Sequence, residues 1–148
     1  MYRRRGNQLE VFLVHPGGPF WAKKDAGAWT IPKGEYLNGE DPLDAARREF
    51  EEETGLAPHG DFIDLGAVKQ ANGKLVSAWA FEGDLDPAKL ISNTCKVEWP
   101  PRSGILIDIP EVDRGEWYSM EEARGRILKS QEPLLEMLGR NLQTLGAG

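Results

Sequence analysis

Carboxylates are concentrated in one short stretch of the chain. The acidic residues between positions 40 and 53 are Glu40, Asp41, Asp44, Glu49, Glu51, Glu52 and Glu53. Hard divalent cations such as Mg²⁺ prefer oxygen ligands. A bound cation also allows an acidic surface to hold an anionic molecule. One hypothesis is therefore a divalent-metal site that could hold a small anionic substrate.

Helical signals flank this acidic stretch. Asp41-Pro42 predicts the start of a helix, with Asp41 as the N-cap and proline at the first helical position. Gly55 predicts the end of the helix just after Thr54. The sequence therefore predicts one helix of about four turns that carries most of these carboxylates.

The predicted helix has two neighbouring faces of different character. At about 100° per residue, one face carries Glu49, Glu52 and Glu53, with Arg48 at its flank. The adjacent apolar stripe contains Leu43, Ala46, Phe50 and Thr54. The stripe predicts burial against a core, and this burial would hold the glutamate face in a fixed position.

Two interpretations of the glutamate face remain open at this point. Arg47–Glu51 and Arg48–Glu52 have i,i+4 spacing, which favours a solvated helix with ion pairs. Glu49, however, faces Glu52 and Glu53 at spacings where like charges cost a few tenths of a kcal/mol per pair. A divalent cation would remove this repulsion.

The loop before the helix supports the metal interpretation. Gly34 and Gly39 permit tight backbone geometry, and Pro32 restricts the approach. A loop folded back on the helix could offer a backbone carbonyl as a further metal ligand. Glu40 could brace this loop or join the site through water, or it could be a plain solvated carboxylate.

The same stretch resembles the Nudix box closely. That pattern reads Gly, five residues, Glu, seven residues, Arg-Glu-apolar, one residue, Glu-Glu, one residue, Gly-apolar. The matching residues are Gly34, Glu40, Arg48, Glu49, Phe50, Glu52, Glu53, Gly55 and Leu56. Because every specified position is satisfied, the motif is far more specific than a lone glycine-rich loop.

The resemblance implies an α/β fold, a Nudix-type α/β/α sandwich with a mixed β-sheet, in which the box forms loop, helix and loop. It implies that Glu49, Glu52 and Glu53 are metal ligands and that Arg48 orients them. The backbone carbonyl of Lys33 or Gly34 would be a further ligand. The implied cofactor is Mg²⁺, with Mn²⁺ as an alternative.

A glutamate outside the box is a further candidate. Some Nudix branches take one from a loop just ahead of a Trp and the penultimate helix. The segment from Glu111 to Trp117 looks similar, so Glu111 is a candidate metal ligand or general base, the alternative being an exposed acid after Pro110. Glu52, Glu53 and Glu111 are the eligible bases, and the sequence does not choose among them.

The implied reaction is Mg²⁺-dependent cleavage of a phosphoanhydride bond in a nucleoside diphosphate derivative. The run from Trp29 to Glu35 looks like the branches that act on dinucleoside polyphosphates and nucleoside triphosphates. ADP-ribose or a nucleotide sugar is the alternative substrate. The rival function is a non-catalytic Nudix domain that binds a nucleotide or metabolite as a sensor.

Substrate contacts are much less well specified. The candidates are Lys33, Lys23, Trp29, Trp99 and Arg102. Lysines suit distal phosphates, Trp99 could stack on a base and Arg102 could bind phosphate. The segment 92–104, which holds Trp99 and Arg102, need not form regular structure, and a packed loop is the alternative.

Length, net charge and cysteine content limit the classes of protein to which this chain could belong. The 148 residues suit one domain, 1–148, and the net charge of −6 argues against a partner that is polymeric nucleic acid. No apolar run is long enough to span a membrane. Cys95, the single cysteine, cannot form an internal disulfide, which favours a cytoplasmic location. We expect a small-molecule nucleotide partner and either a monomer or a homodimer.

Other patterns predict the elements that position the box. Expected strands are 9–14, 62–68, 74–81 and 105–109, with a short extended piece at 29–31 and a turn at Asn72-Gly73. Expected helices are 120–129 and 133–142. Because few residues precede Leu9, we also expect a shortened edge strand or a natural chain that begins earlier.

Overall fold

The computed structural model describes residues 1–33 and 39–146. In that part of the chain there are seven strands and three helices. The strands are β1 (Tyr2–Arg5), β2 (Gln8–Pro16), β3 (Ile63–Lys69), β4 (Leu75–Ala80), β5 (Thr94–Glu98), β6 (Leu106–Pro110) and β7 (Val112–Ser119). The helices are α1 (Pro42–Thr54), α2 (Met120–Arg126) and α3 (Glu132–Gly146).

The strands form three antiparallel groups. Strand β2 lies between β1 and β7, while β3 pairs with β4 and β5 pairs with β6. A parallel bridge between Tyr2 and Glu82 links the end of the β3–β4 hairpin to β1. All paired strands are therefore antiparallel, and among the described residues parallel pairing occurs only at isolated bridges.

Helices cover both faces of the strands. The side chains of β2 alternate, so that Val11 and Leu13 join the cluster of α2 and α3, whereas Phe12 and Val14 pack with Trp117. Helix α1 contacts β4 and β7. Layers of this kind confirm the predicted α/β/α class.

The predicted helix α1 is correct to the residue. The Asp41 carboxylate accepts hydrogen bonds from the backbone N–H groups of Leu43 and Asp44. Gly55 adopts a φ of 83° and its N–H donates to the Glu51 carbonyl. A left-handed residue is needed here to close the helix, which explains the glycine.

Three strands were not predicted from the sequence. Strand β1 contains three consecutive arginines, and β7 contains a charged run, so neither has a clear period-two pattern. The segment 92–104, expected to lack regular structure, instead contains β5 and a turn that returns into β6. Pairing with neighbours, rather than local pattern, forms these strands.

The three arginines of β1 differ, because Arg3 makes tertiary contacts whereas Arg4 and Arg5 are exposed. The Arg3 guanidinium donates to Glu10 and Asp84 at 2.8 Å each, and it stacks 4.1 Å from the centre of the Trp117 ring. All four residues of β1 pair with β2, so this edge strand is short but fully paired.

Two further features bear on function. Within the described residues, no helix is long and apolar enough to cross a membrane. A cavity of about 130 Å³ beside α1 is walled mostly by apolar side chains such as Phe50, Phe62 and Leu65. Because this lining offers few polar groups for a pyrophosphate, the cavity is not where we place the chemistry.

The N-cap of α1 provides a test of how this helix is held. Asp41→Ala removes the acceptor of two backbone N–H groups and should lower the free energy of unfolding by about 1 kcal/mol. Asp41→Asn keeps the acceptor and should stay within a few tenths of a kcal/mol of the parent. Urea denaturation of both variants measures the difference, and equal losses would show that the side-chain acceptor is not what matters.

Candidate active site

Carboxylates from two distant parts of the chain meet beside α1. Glu49 and Glu53 lie one turn apart on the helix, and Glu111 lies at the junction of β6 and β7. One carboxylate oxygen from each of the three lies within 4.8 Å of the others. This cluster spans 62 positions of sequence, so the fold creates it rather than the helix alone.

Glu53 is the most enclosed member of the cluster. The residue is only 8% exposed, and the backbone N–H of Lys33 donates to its Oε2 at 3.0 Å. Burial raises the pKa of the Glu53 carboxyl to about 8, and the nearby charges of Glu111 and Glu49 act in the same direction. The Lys33 hydrogen bond opposes this shift only in part.

Glu111 lies in a similar environment. Burial raises the pKa of its carboxyl, and the charges of Glu49 and Glu52 raise it further. The neighbouring glutamates therefore disfavour ionisation of Glu53 and Glu111. A group of acids with this mutual repulsion is one that a divalent cation would stabilise, since hard cations take carboxylate oxygens.

Arg48 binds the other side of the glutamate face. Its guanidinium makes a two-point contact with Glu40, at 2.9 Å and 3.0 Å. A third nitrogen donates to Glu49 at 2.8 Å and to both oxygens of Glu52 at 3.2 Å. Hydrogen bonds to Glu40, then to Glu49 and Glu52, raise the pKa of Arg48, so its charge is fixed.

This arrangement divides the glutamates that the sequence had grouped together. Glu52 turns towards Arg48 and its side chain is 39% exposed, so the compact cluster contains Glu49, Glu53 and Glu111 instead. Glu40 braces the start of the helix through Arg48. The helical wheel could not show this, because it does not include the loop or the β6–β7 junction.

The apolar members of the box are structural. Phe50 is buried, and its ring lies 5.0 Å from that of Phe81 in an edge-to-face contact. Gly55 closes the helix, and the backbone N–H of Leu56 donates to the Thr54 hydroxyl at 3.2 Å. These contacts anchor α1 so that Glu49 and Glu53 cannot swing away from the strands.

Glu111 is held by its backbone. The Gly17 N–H donates to the Glu111 carbonyl, and the Glu111 N–H donates to the Asn93 carbonyl. A Cβ at Gly17 would collide with the Pro110 carbonyl oxygen, so this approach requires glycine. Asn93 could not be identified from the sequence, because its role depends on a contact between segments far apart in the chain.

One predicted substrate contact, Trp29, belongs to the core. Trp29 is 3% exposed, and its indole N–H donates to Asp25 at 2.8 Å. Its ring packs edge-to-face against Tyr118 and His15. The prediction that Trp29 contacts substrate therefore needs correction, because a buried ring without a free face supports the core.

The other predicted contacts have different placements. Trp99 and Arg102 lie at the tip of the β5–β6 hairpin. Each is at least six residues from Asn93, so at about 3.3 Å per residue the tip lies roughly 20 Å along the hairpin from Asn93. Lys23 is exposed on the loop that follows Gly17, and Lys33 lies beside Glu53. Gly34 lies outside the described residues.

The site chemistry fits a hard divalent ion. Three carboxylates converge, one of them is largely buried, and Arg48 pairs with Glu49 at the edge of the cluster as well as with Glu40 and Glu52 outside it. Glu49, Glu53 and Glu111 are the residues that could hold such an ion, and Mg²⁺ and Mn²⁺ both accept this donor set.

Comparisons with known proteins agree with this geometry. The family model described as the NUDIX domain matches residues 1–138. An RNA pyrophosphohydrolase of Rhizobium meliloti (strain 1021) is 34% identical over 115 residues, which cover 68% of this chain. The match spans 64% of that relative's own length, which is less than two thirds.

Solved structures share the fold. A C. elegans Ap4A hydrolase superposes with a TM-score of 0.60 at 22% identity, covering 97% of this chain and 93% of its own. The NUDIX domain of Shewanella oneidensis NrtR, solved with ADP ribose, gives a TM-score of 0.62 at 18% identity, covering 95% and 82%. The complete box, the converging carboxylates, the layered fold and the family match together show that this chain belongs to the Nudix family.

Proposed function

We propose that this protein is a Mg²⁺-dependent pyrophosphohydrolase that cleaves a phosphoanhydride bond in a nucleoside diphosphate derivative. The observation that carries the proposal is the convergence of Glu49, Glu53 and Glu111, with an oxygen of each within 4.8 Å of the others. A sensor has no need to keep three mutually repelling acids in one place. Membership of the Nudix family supports the same reaction class.

The residues of the site have different proposed roles, which follow from their positions. A divalent ion bound here supplies charge neutralisation of the phosphates and lowers the pKa of water. Glu49 and Glu53, fixed by the buried face of α1, hold the ion. Glu111 approaches from a different element, where it can join Glu49 and Glu53 as a ligand of the ion or accept a proton from the attacking water. Arg48 keeps Glu52 and Glu40 aligned, and Lys33 lies close enough to Glu53 to meet a phosphate.

Nucleoside triphosphates and dinucleoside polyphosphates are the proposed substrates. Their phosphate chains match a site where metal-binding carboxylates lie beside Lys33 and near the loop that carries Lys23. A compact substrate of this kind would not need the distant hairpin tip. ADP-ribose and nucleotide sugars contain the same bond and remain comparison substrates.

A pyrophosphate at an RNA 5′ end is the second candidate substrate. It is favoured by the relatives named RNA pyrophosphohydrolase, one of them 34% identical. The hairpin tip with Trp99 and Arg102 is also placed where an extended substrate could reach it. The net charge of −6 argues against binding of polymeric nucleic acid, so the rates for RNA and for small nucleotides are compared directly.

Turnover is the primary test of the proposed reaction. With Mg²⁺, the protein should hydrolyse at least one member of a panel of nucleoside triphosphates, diadenosine tetraphosphate, ADP-ribose, a nucleotide sugar and 5′-triphosphorylated RNA. Glu53→Gln should lower kcat at least a hundredfold, because it removes a buried charged ligand. Chromatography of the products measures both the rate and the bond attacked.

The matched control is Glu51→Gln, an exposed glutamate on the same helix outside the cluster. It should retain activity within about twofold of the parent. If neither the parent nor Glu51→Gln turns over any substrate with Mg²⁺ or Mn²⁺, the hydrolase proposal fails and the sensor function takes its place.

The hairpin tip provides a test of substrate length. Arg102→Gln should raise KM for 5′-triphosphorylated RNA several-fold, since a phosphate contact of an arginine is lost. It should leave KM for a nucleoside triphosphate unchanged, because the tip lies roughly 20 Å along the hairpin from Asn93. Steady-state kinetics with both substrates measures the difference. Equal effects on both would contradict this placement.

The raised pKa of Glu53 makes the stability of the metal-free protein depend on pH. The folded state keeps this proton up to about pH 8, whereas the unfolded chain releases it near 4.5. Folding therefore takes up a proton at Glu53 in this window, and the contribution of Glu53 to the free energy of unfolding should fall as pH rises from 5 to 8. The buried Met1 amine, whose pKa burial lowers to about 5, contributes a rise over the same window, so the test is the difference between variant and parent. Urea denaturation in EDTA at several pH values should show that the free energy of unfolding rises more steeply with pH in Glu53→Gln than in the parent. Glu51→Gln should keep the slope of the parent, and an unchanged slope in Glu53→Gln would refute the assignment.

A further inference from the structure

One short segment joins the two halves of the carboxylate cluster. Residues 91–93 immediately precede β5 in the chain, and in space they lie between the C-terminal end of α1 and the start of β7. The Ile91 N–H donates to the Thr54 carbonyl at 3.0 Å, and the Asn93 N–H donates to the Glu52 carbonyl at 2.8 Å. These carbonyls lack partners within the helix, so the segment caps the end of α1.

The same segment also binds Glu111. The Glu111 N–H donates to the Asn93 carbonyl at 2.9 Å, and the Val112 N–H donates to the Ser92 hydroxyl at 3.0 Å. Asn93 is therefore bonded through its backbone to the helix on one side and to Glu111 on the other. Its position is fixed by groups that a side-chain substitution would leave in place.

The side chain of Asn93 connects the same two partners, the end of α1 and Glu111. Its amide nitrogen, in the orientation set by its surroundings, donates to Glu111 Oε2 and to the Glu52 carbonyl, each at 3.2 Å. Both partners are acceptors only, which decides the orientation of the amide. One –NH₂ group thus holds the carboxylate of Glu111 at a fixed distance from the helix that carries Glu49 and Glu53.

We propose that Asn93 is a positioning residue for the metal-binding cluster, which orients the Glu111 carboxylate towards Glu49 and Glu53. Three acids that repel one another would separate if their side chains were free. Backbone packing of α1 restrains Glu49 and Glu53, but it does not restrain the Glu111 side chain. The Asn93 amide supplies a neutral donor that fixes the rotamer of the Glu111 side chain.

Capping of α1 is the competing explanation, because the same amide reaches the Glu52 carbonyl. The two explanations differ in one respect. A capping role would be independent of the Glu111 side chain, whereas a positioning role acts only through it. A double-mutant cycle between Asn93 and Glu111 separates them.

The inference rests on the proposed function, so its test measures metal binding to the whole chain without substrate. Free Mn²⁺ is counted by electron paramagnetic resonance as the ion is titrated into the parent, Asn93→Ala, Glu111→Ala and the double variant. Asn93→Ala should weaken Mn²⁺ affinity about tenfold, the range for residues that orient a metal ligand. In the Glu111→Ala background the same change should alter affinity by less than about twofold.

Controls address the fold and the choice of side chain. Asn93→Ser, whose hydroxyl is too short to span both acceptors, should match Asn93→Ala. Asn72→Ala, at the turn between β3 and β4, should bind Mn²⁺ like the parent. Urea denaturation in EDTA reports whether each variant remains folded, and Asn93→Ser replaces Asn93→Ala in the cycle if the latter does not.

The outcomes distinguish this inference from the proposed reaction. Equal losses of affinity in both backgrounds, or no loss in the parent background, would overturn the positioning role. A parent protein that binds no Mn²⁺ would overturn it together with the proposed metal site. A parent that binds Mn²⁺ with the expected coupling but hydrolyses nothing would leave the positioning role standing and reject the hydrolase.

Discussion

Mutual repulsion among Glu49, Glu53 and Glu111 is the interaction around which the rest of this structure is arranged. Acids whose oxygens lie within 4.8 Å of one another disfavour each other's ionisation, and the burial of Glu53 adds to this. Such a group persists only where stronger contacts hold its members in place. Much of the surrounding architecture provides those contacts.

Helix α1 holds two of the acids through its apolar face. Phe50 is packed against Phe81, and Ala45 and Thr54 are also buried, so the helix cannot rotate to release Glu49 and Glu53. At its ends, the Asp41 cap and the left-handed Gly55 fix where the helix begins and stops. Burial of the apolar face of α1 therefore holds the glutamates of its neighbouring face close together despite their repulsion.

Arg48 and Asn93 complete the arrangement in different ways. Arg48 shares one positive charge among Glu40, Glu49 and Glu52, and its contacts with Glu40 connect the loop to the helix. Asn93 provides a neutral bridge between the end of the helix and Glu111. Because one arginine is shared among three glutamates and the Asn93 donor is uncharged, the cluster stays acidic, which is the condition a divalent cation needs.

The sequence by itself determined the box helix and its chemistry. The N-cap, the terminal glycine and the 3.6-residue period are local signals, so α1 was predicted to the residue and the family resemblance followed from nine positions. Only tertiary structure decided that Glu111 joins Glu49 and Glu53 while Glu52 turns to Arg48. It also placed Trp29 in the core, and Trp99 and Arg102 at a distant hairpin tip. Strand pairing and contacts between segments far apart in the chain have no local period, which is why β1, β5, β7 and the bridge through Asn93 could not be predicted from the residues alone.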